Sequence, residues 1–395
     1  MTSGRWARLL FLVVPLLMIF GTGCGDFWQA PSTTTGTTGT TTLSSGVFYV
    51  LNQETAQVVA FSINSGTLTT IGTYTLPSPE PLAMAISPNG NFLYVSTLGG
   101  GIYLYAVSST GALTLGNDSV AISLDPATTM QVDATNSWLV DAVSGVGQLN
   151  AIALNTTTGG LASAAEKEQV FALPASTVEQ LAISPNDSTT CADCYVFVAM
   201  GTGGTEEIHF NPGNADPFGG AGNTPVLNSG GSANAVAVDP TNRLFYVGES
   251  DALPSASNSG GLRALVIGAS TITENSGSPY TSGGTGPSEI LAQSGYVYVS
   301  NKSGTADGNI ASYTLTASGT TTAPVYTFTD NGTISTGVDP LGLAEDSKGN
   351  FLLAVNAGGS PDLDGYTMDA GILTTVLSFT TGTDPVQAIA IVATP

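Results

Sequence analysis

The only histidine of the chain, His209, lies in a short acidic and apolar segment, EEIHF, which begins at Glu206. Side chains alternate between the two faces of a β-strand, so Glu207 and His209 are expected to share one face. A histidine oriented by a neighbouring carboxylate can act as a general base, and Arg263 is a further candidate for a charged catalytic group. The pattern is more typical, however, of a partly exposed strand histidine in an acidic patch.

Four of the acidic residues that precede a proline lie where a loop is expected to lead into an inner strand. These acids are Glu80, Asp125, Asp339 and Asp384, and two more, Asp362 and Asp364, lie in the loop SPDLDGY. If the loops open on one face, their oxygens could bind calcium, a cationic group or a polyhydroxyl ligand. An acid before proline also initiates turns, and the Asp-x-Asp-Gly segment lacks the downstream glutamate of an EF-hand loop. Calcium is therefore a candidate cofactor, in competition with a structural role for these carboxylates.

Few positive side chains are available to bind an anion. Arg263 and Lys302 fall on or beside loops of the same kind as the acidic ones, so they are the candidates for such a role. The segment 251–261 is the longest of these loops, and long loops on rigid scaffolds often carry binding residues.

Cys191 and Cys194 form a Cys-x-x-Cys pair. Such a pair can be a redox centre or half of a metal site. The sequence has no second Cys/His pair and no thioredoxin-like βαβ pattern around this one. A disulfide that staples a loop is therefore the favoured interpretation.

These residues are distributed over a hairpin that returns about every 50 residues. Its clearest copy, 81–96, consists of an apolar strand, a Pro-Asn-Gly turn and a second strand. Similar segments begin at Leu181, Ala235, Glu289 and Leu341. A repeat of this length indicates an array of small β-sheets, each with an inner strand that starts the hairpin.

The two ends of the chain complete the array. The segment 47–51 reads as a second strand without an inner partner, and the last segment, QAIAIVAT, reads as an inner strand without a second one. Pairing of the two would complete a seventh sheet and remove the exposed sheet edges. The sequence therefore predicts an all-β fold over 47–395, a seven-bladed β-propeller closed by N-terminal strands that pair with the C-terminal strand.

The N-terminus carries an export signal. Arg5 and Arg8 precede an apolar run, 9–20, that is too short to span a bilayer comfortably. Small residues then lead to Cys24, which resembles the lipidated cysteine of bacterial lipoproteins; ordinary cleavage by a signal peptidase is the alternative. Residues 1–23 are interpreted as a signal peptide. Residues 24–46 are interpreted as a lipidated cysteine and a Thr/Gly/Ser-rich tether that anchors the propeller to the membrane.

The charge balance excludes one class of partner. Lysine and arginine total 7 against 29 acidic residues, which gives a formal net charge of −22 at pH 7. Nucleic acids are bound largely by neutralising their phosphates with lysine and arginine, so this chain is not expected to bind them. Its acidity is expected to keep the protein soluble.

The hairpin segments AISPNGNFLYVS and AVDPTNRLFYVGES resemble the YVTN-type repeats of the lactonase-type seven-bladed propellers, the 6-phosphogluconolactonase-like family. The resemblance extends over 47–395. It implies the propeller fold and, as an activity, the hydrolysis of a lactone, which is a carboxylic ester. It also implies that a few His, Arg and acidic side chains around the central channel would carry that activity.

Two functions are compatible with these observations. The first is an exported, lipid-anchored propeller of the bacterial cell envelope, on the periplasmic or surface side of the outer membrane. It would bind a glycan, a small molecule or a protein without catalysis, and the scarcity of histidine and arginine favours it. The alternative is a lactonase-like hydrolase that acts on a lactone or sugar-derived substrate at the channel mouth. It requires His209, or Arg263 with an acid, to converge there.

Overall fold

The structure, a computed structural model, describes residues 46–163, 168–186, 194–254, 259–268, 271–304, 306–320, 323–358, 361–381 and 388–395. In these ranges the chain forms seven β-sheets arranged in a ring, together with one short 3-10 helix, Asn117–Ser119. The predicted all-β, seven-bladed propeller is thereby confirmed. No helix in the described ranges is long and apolar enough to cross a lipid bilayer.

The first half of the chain supplies three strands of blade 1 and all of blades 2 to 4. Blade 1 begins with β1 (Gly46–Asn52), β2 (Gln57–Asn64) and β3 (Thr67–Thr75). Blade 2 contains β4 (Pro81–Ile86), β5 (Phe92–Thr97), β6 (Gly101–Val107) and β7 (Leu113–Leu115). Blade 3 contains β8 (Thr129–Val132), β9 (Trp138–Ala142), β10 (Gln148–Ala153) and β11 (Gln169–Ala172). Blade 4 contains β12 (Gln180–Ile183), β13 (Tyr195–Ala199), β14 (Thr205–Phe210) and β15 (Phe218–Thr224).

The second half supplies blades 5 to 7 and the closing strand. Blade 5 contains β16 (Ser232–Val238), β17 (Leu244–Ser250), β18 (Gly261–Ile267), β19 (Ile272–Glu274) and β20 (Tyr280–Thr281). Blade 6 contains β21 (Gly286–Gln293), β22 (Tyr296–Ser303), β23 (Ala306–Thr320) and β24 (Ala323–Val338). Blade 7 contains β25 (Pro340–Glu345), β26 (Phe351–Asn356), β27 (Leu363–Asp369) and β28 (Ile372–Phe379). The last strand is β29 (Ala388–Ala393).

Strand β29 closes the ring as the inner strand of blade 1. It pairs antiparallel with β1, with Tyr49 opposite Val392 and Val50 opposite Ile391. The sheet order β29-β1-β2-β3 therefore joins the two ends of the chain in one blade, as the sequence predicts. This closure leaves no blade with an unpartnered face.

Apolar side chains on both faces of a blade pack against its two neighbours. Between blades 3 and 4, Val140 and Leu181 belong to one buried cluster. Between blades 4 and 5, the ring of Phe197 stacks on Phe245 with centroids 4.1 Å apart. Because both faces are covered, the central strands are nearly continuously apolar rather than alternating. The packing holds each blade, and so each loop, at a fixed position around the ring.

The side chain of the residue that follows an inner strand stabilises the hairpin turn by a hydrogen bond across it. Its side-chain oxygen accepts a hydrogen bond from the backbone N–H of the first residue of the second strand. The pairs are Ser87 with Phe92, Asp133 with Trp138, Ser184 with Tyr195, Asp239 with Leu244 and Asp346 with Phe351. The recurring turn sequence is therefore part of the scaffold.

Inner strands present a free edge to the central channel, where unpaired backbone groups would be costly. Side chains of neighbouring blades satisfy several of these groups. Gln131 Oε1 accepts the N–H of Ile183 at 2.9 Å, and Gln180 Oε1 accepts the N–H of Val236 at 2.7 Å. Each contact joins one blade to the next, so polar channel residues fix the register of adjacent inner strands.

The ring has two faces. Inner strands begin on the mouth face, and they are joined to second strands on the opposite, hairpin face. Because the strands of a blade are antiparallel, the loops between second and third strands also lie on the mouth face. Two contacts show this: the carbonyls of Glu80 and Asp339 accept the N–H groups of Leu98 and Ala357, in those loops, at 2.9 and 3.0 Å.

Candidate functional site at the channel mouth

The acids that precede inner strands lie at the mouth face. Glu80 and Asp125 are exposed and Asp339 is half-buried, while Asp384 lies outside the described residues. Glu80 and Asp339 both adopt the left-handed backbone conformation, with φ of 58° and 52°, which non-glycine residues rarely adopt. They therefore occupy equivalent positions in blades 2 and 7. Lys302, also predicted at this face, is exposed near the end of β22.

Asp362 and Asp364 lie at the same face but are buried and hydrogen-bonded to protein. Asp364 Oδ2 accepts the backbone N–H of Gly337 at 2.8 Å and the amide of Asn356 at 2.9 Å. Asp362 Oδ2 accepts the N–H of Thr381 at 3.0 Å. These bonds join three separate segments at the edge of blade 7 and give both carboxylates a structural role. Calcium binding by any of the mouth acids stays a prediction.

Inside the channel, Gln180 of β12 and Glu289 of β21 reach towards one another from blades 4 and 6. The amide Nε2 of Gln180 donates to Oε2 of Glu289 at 2.7 Å. Glu289 is the fourth residue of β21, which places it about 10 Å inside the mouth face. Protein surrounds the half-buried carboxyl, and this burial raises the pKa of Glu289 to about 7 against the opposing hydrogen bonds from Gln180 and Ile290. A carboxyl group with this pKa can exchange a proton near neutral pH.

The guanidinium of Arg263, on β18, forms ion pairs with two carboxylates of the protein. The partners are Glu249 at 3.0 Å and Glu274 at 2.6 Å, and the guanidinium also donates to the carbonyl of Pro225 at 2.8 Å. Arg263 is 5% exposed and Glu249 is 0% exposed. Burial alone would lower the pKa of the Arg263 guanidinium, but the two carboxylates raise it above its ordinary value. The group therefore stays charged and is not presented to a ligand as a free cation.

His209 lies far from the mouth face. It is half-buried in β14 and packs against the ring of Tyr195, with centroids 4.4 Å apart and an angle of 35° between the ring planes. Tyr195 begins β13, directly after the hairpin turn, so both rings are at the hairpin end of blade 4. His209 and Ile208 point to opposite faces, as strand alternation predicts, with Ile208 in the cluster between blades 3 and 4.

Glu207, the predicted partner of His209, lies nearer the mouth and close to Arg263. It is 6% exposed. Burial raises the pKa of the Glu207 carboxyl, opposed by a hydrogen bond from Thr224 and by the charge of Arg263. The charge of Arg263 therefore acts on Glu207, whose side chain shares one face of β14 with His209 two residues further along the strand.

A second buried acidic cluster lies between blades 2 and 3. Asn150 Nδ2 donates to Asp141 Oδ1 at 3.1 Å, and the two residues are 4% and 1% exposed. Burial and the nearby carboxylates of Glu168 and Asp125 together raise the pKa of Asp141 to about 8, against the opposing hydrogen bond from Asn150. Three buried oxygens of this group accept no hydrogen bond: Asp141 Oδ2, Asn150 Oδ1 and Glu168 Oε1.

The hairpin face carries a cavity of about 580 Å³ between blades 5 and 6. It is lined by the turn of blade 5, with Asp239 and Arg243, and by the long hairpin of β23 and β24, with Tyr326. Because it opens on the face opposite the mouth, this cavity is separate from the predicted site. Nearby, at the hairpin end of the channel, burial raises the pKa of Glu345 to about 7 while a hydrogen bond from Gln293 acts in the opposite direction.

The residues predicted for metal and cysteine chemistry lie partly inside and partly outside the described ranges. Among the residues described, no three His, Cys, Asp or Glu side chains come close enough to hold a metal ion together. Cys194 is disulfide-bonded. Its predicted partner, Cys191, lies outside the described residues, as does Cys24.

Several polar residues of these sites were not identified from the sequence. Gln180, Glu289, Asp141 and Asn150 lie within strands, whereas most of the site residues predicted from the sequence lie in loops. Their signal is an acid or amide inside an otherwise apolar strand, as in EILAQ and WLVDA. Burial of such groups is costly unless they are paired or functional, so this signal could have found them.

Known proteins share this architecture. Residues 39–176 match the family model described as lactonase, 7-bladed beta-propeller, which confirms the resemblance seen in the repeats. No curated protein sequence matches the chain.

Solved structures extend the similarity to the whole ring. A protein from Bacteroides uniformis assigned as a 6-phosphogluconolactonase superposes with a TM-score of 0.65 at 16% identity, over 89% of this chain and 100% of that one. The corresponding protein from Bacteroides fragilis gives 0.63 at 14% identity, over 90% and 100%. A periplasmic gluconolactonase from Pseudomonas aeruginosa gives 0.62 at 16% identity, over 88% and 100%. At these identities the likeness establishes the fold.

Proposed function

We propose that the protein is a cell-envelope propeller that binds a cationic or polyhydroxyl ligand at its mouth face without converting it. One contrast supports this function. The exposed carboxylates of the mouth face belong to Glu80, Asp125 and Glu179. The guanidinium of Arg263, by contrast, is buried and forms ion pairs with Glu249 and Glu274. Carboxylates accept hydrogen bonds from sugar hydroxyls or pair with cations, and an acidic mouth attracts cations at long range.

A second function, lactone hydrolysis, is favoured by one specific observation. Glu289 lies in the channel with a pKa raised to about 7 and a hydrogen-bond donor, Gln180, at 2.7 Å. The Glu289 carboxylate could take a proton from a water molecule, whose oxygen would attack the lactone carbonyl carbon. The ring C–O bond would then break and the proton would pass to the leaving alkoxide, giving a hydroxy acid. The three similar folds described above are named as lactonases.

One experiment separates the two functions. The full-length protein is titrated with a panel of neutral glycans, polyamines and aldonolactones by calorimetry, and ring opening of the lactones is followed in a pH-stat. The binding function predicts heat without ring opening above the buffer rate. It also predicts binding about tenfold or more weaker in Glu80→Gln with Asp125→Asn, because hydrogen bonds to charged groups are lost. The exposed Asp369→Asn is the matched control.

Hydrolysis predicts a different outcome in the same assay. Ring opening should exceed the buffer rate, increase with pH through about 7 and fall to background in Glu289→Gln. Ring opening that persists unchanged in Glu289→Gln would exclude this carboxyl as the base. Failure of every compound to bind would contradict the binding function.

We also propose that Cys24 anchors the propeller in the membrane by acyl chains. The support is the run of basic, apolar and small residues that precedes Cys24, and the periplasmic location of one similar fold. Replacing Cys24 with alanine is expected to move the protein from the detergent-soluble membrane fraction to the soluble fraction, because two acyl chains are sufficient for stable attachment. Ser32→Ala, a substitution in the same tether, is the control. An unchanged partition of Cys24→Ala would refute lipidation.

A further inference from the structure

We propose that the cavity on the hairpin face, between blades 5 and 6, binds a small organic carboxylate that has an apolar body. The carboxylate would pair with the guanidinium of Arg243, and the apolar body would lie against the long hairpin of β23 and β24. Because the cavity opens on the face opposite the mouth, this site is independent of the ligand proposed above.

The wall of the cavity on the blade 6 side is a two-stranded ribbon that extends beyond the blade. Strand β22 pairs with β23 only from Tyr296 onwards, and Tyr296 is opposite Thr314. The strands β23 and β24 stay paired as far as Thr320 and Ala323. Residues 315–320, roughly 20 Å of strand, therefore project past the rest of the blade on the hairpin face.

One face of this ribbon is turned towards blade 5. Strand alternation places Leu315, Ala317 and Gly319 on that face. Across the ribbon, Tyr326 is opposite Ala317 and Pro324 is opposite Gly319. All five residues line the cavity. The same face continues into the buried cluster between blades 5 and 6, which includes Tyr326, so the ribbon offers an apolar wall to a ligand.

Arg243 carries the uncommitted charge of the cavity lining. Its exposed side chain forms no ion pair in the part of the chain that the structure describes, since both ion pairs there involve Arg263. The other charged lining residue, Asp239, is 4% exposed, and its carboxylate accepts backbone N–H groups of its own turn, including that of Arg243. A free guanidinium beside an apolar wall favours a carboxylate, which it binds through two parallel hydrogen bonds.

A buried hydroxyl behind the cavity surface has no partner. Tyr246 of β17 is 0% exposed, and its hydroxyl makes no hydrogen bond within the described ranges. Burial raises the pKa of Tyr246, and the nearby carboxylate of Asp239 and phenol of Tyr326 raise it further. Since both neighbours line the cavity, the hydroxyl lies close to its inner end. A buried donor left unpaired is costly, so a ligand oxygen that reached it would be stabilised.

The charge of the whole chain makes a local arginine necessary for binding an anion. The formal net charge is −22, and such a protein repels anions at long range. Arg263, predicted from the sequence to bind an anion, is buried in its ion pairs, whereas Arg243 is exposed in a cavity. The cavity volume of about 580 Å³ is in the range of small-molecule sites.

The test compares carboxylic acids with their uncharged amides on the purified full-length protein. Phenylpropionate and hexanoate are each titrated at millimolar concentrations beside the corresponding primary amide, and binding is measured by saturation-transfer NMR of the ligand. Each acid is expected to bind about tenfold or more tightly than its amide, because hydrogen bonds between charged groups are the stronger ones.

Matched variants locate the binding in this cavity. Arg243→Met should weaken each acid about tenfold and leave its amide unchanged. Lys348→Met removes an exposed charge from the blade 7 turn on the same face and should leave both unchanged. Ala317→Trp fills the cavity and should abolish binding of acid and amide alike. The mouth variant, Glu80→Gln with Asp125→Asn, should keep the acids bound, so the two sites are tested separately.

The proposal is overturned if neither acid binds, if acids and amides bind equally, or if Arg243→Met binds the acids as tightly as the wild type. Binding that persists in Ala317→Trp would also overturn it. Equal losses in Arg243→Met and Lys348→Met would do the same, since they would indicate general charge attraction. Both Arg243 and Ala317 are exposed, so their variants are expected to fold, and an unchanged melting temperature checks this.

Discussion

Replacing Arg263 with methionine is expected to lower the free energy of unfolding by about 3–5 kcal/mol. The guanidinium is the only cation in contact with two carboxylates among the described residues, and one of them, Glu249, is completely buried. Without it, Glu249 must either keep an unpaired charge or take up a proton, and both are unfavourable there. Urea unfolding followed by tryptophan fluorescence would measure the change.

Two further variants identify the cause of that loss. Arg243→Met removes an exposed arginine of the same chemistry and should change stability by no more than about 0.5 kcal/mol. Adding Glu249→Gln and Glu274→Gln to Arg263→Met should recover part of the loss, because no carboxylate is then left unpaired. Equal losses in Arg263→Met and Arg243→Met would mean that burial of the ion pairs is energetically unimportant.

Raising the pH from 5 to 8 should destabilise the protein by about 2–3 kcal/mol for each of Glu289 and Glu345. Burial raises the pKa of both carboxyls from 4.5 to about 7, so the folded state holds their protons more tightly than the unfolded chain. This contribution is complete below the unfolded value and is lost as the pH increases through about 7. Melting temperatures across this range, without added calcium, would measure it.

Variants separate these two groups from general charge repulsion. Glu289→Gln and Glu345→Gln keep the shape of the side chain without its titration, so each should flatten the pH dependence. Glu179→Gln removes an exposed carboxylate at the mouth face and should leave the slope unchanged. A wild-type stability that increases between pH 5 and 8 would contradict the raised pKa values.

The fold could be predicted from the sequence because the repeat acts at short range. The turn residues Ser87 and Asp239, and the apolar strands on either side of each, specify one hairpin without knowledge of the other blades. Ring closure was predictable for a different reason. The strand at 46–52 pairs locally with β2 but lacks an inner partner, and the strand at 388–393 lacks a second strand, so pairing with one another completes the blade.

The sites were only partly predictable because they depend on contacts between blades. From the sequence, Arg263 was predicted to be a free cation beside a mouth loop, because the residues next to it do not indicate that Glu249 and Glu274 pair with it. Gln180 and Glu289 are 109 residues apart in sequence, and their hydrogen bond exists only across the closed channel. A search of loops could place acids at the mouth face, but it could not show which strand carboxyls are buried.

The position where β1 joins the ring sets the face from which a tether would leave the propeller. Gly46 lies on the hairpin face, beside the turn of blade 7, where its backbone approaches Asp346. Thr394, which directly follows β29, donates its backbone N–H to the carbonyl of Val47 on that same face. The tether proposed above would therefore join the propeller on the hairpin face, which also carries the Arg243 cavity. The acidic mouth would then lie on the face of the ring opposite the tether, where the tether does not obstruct it.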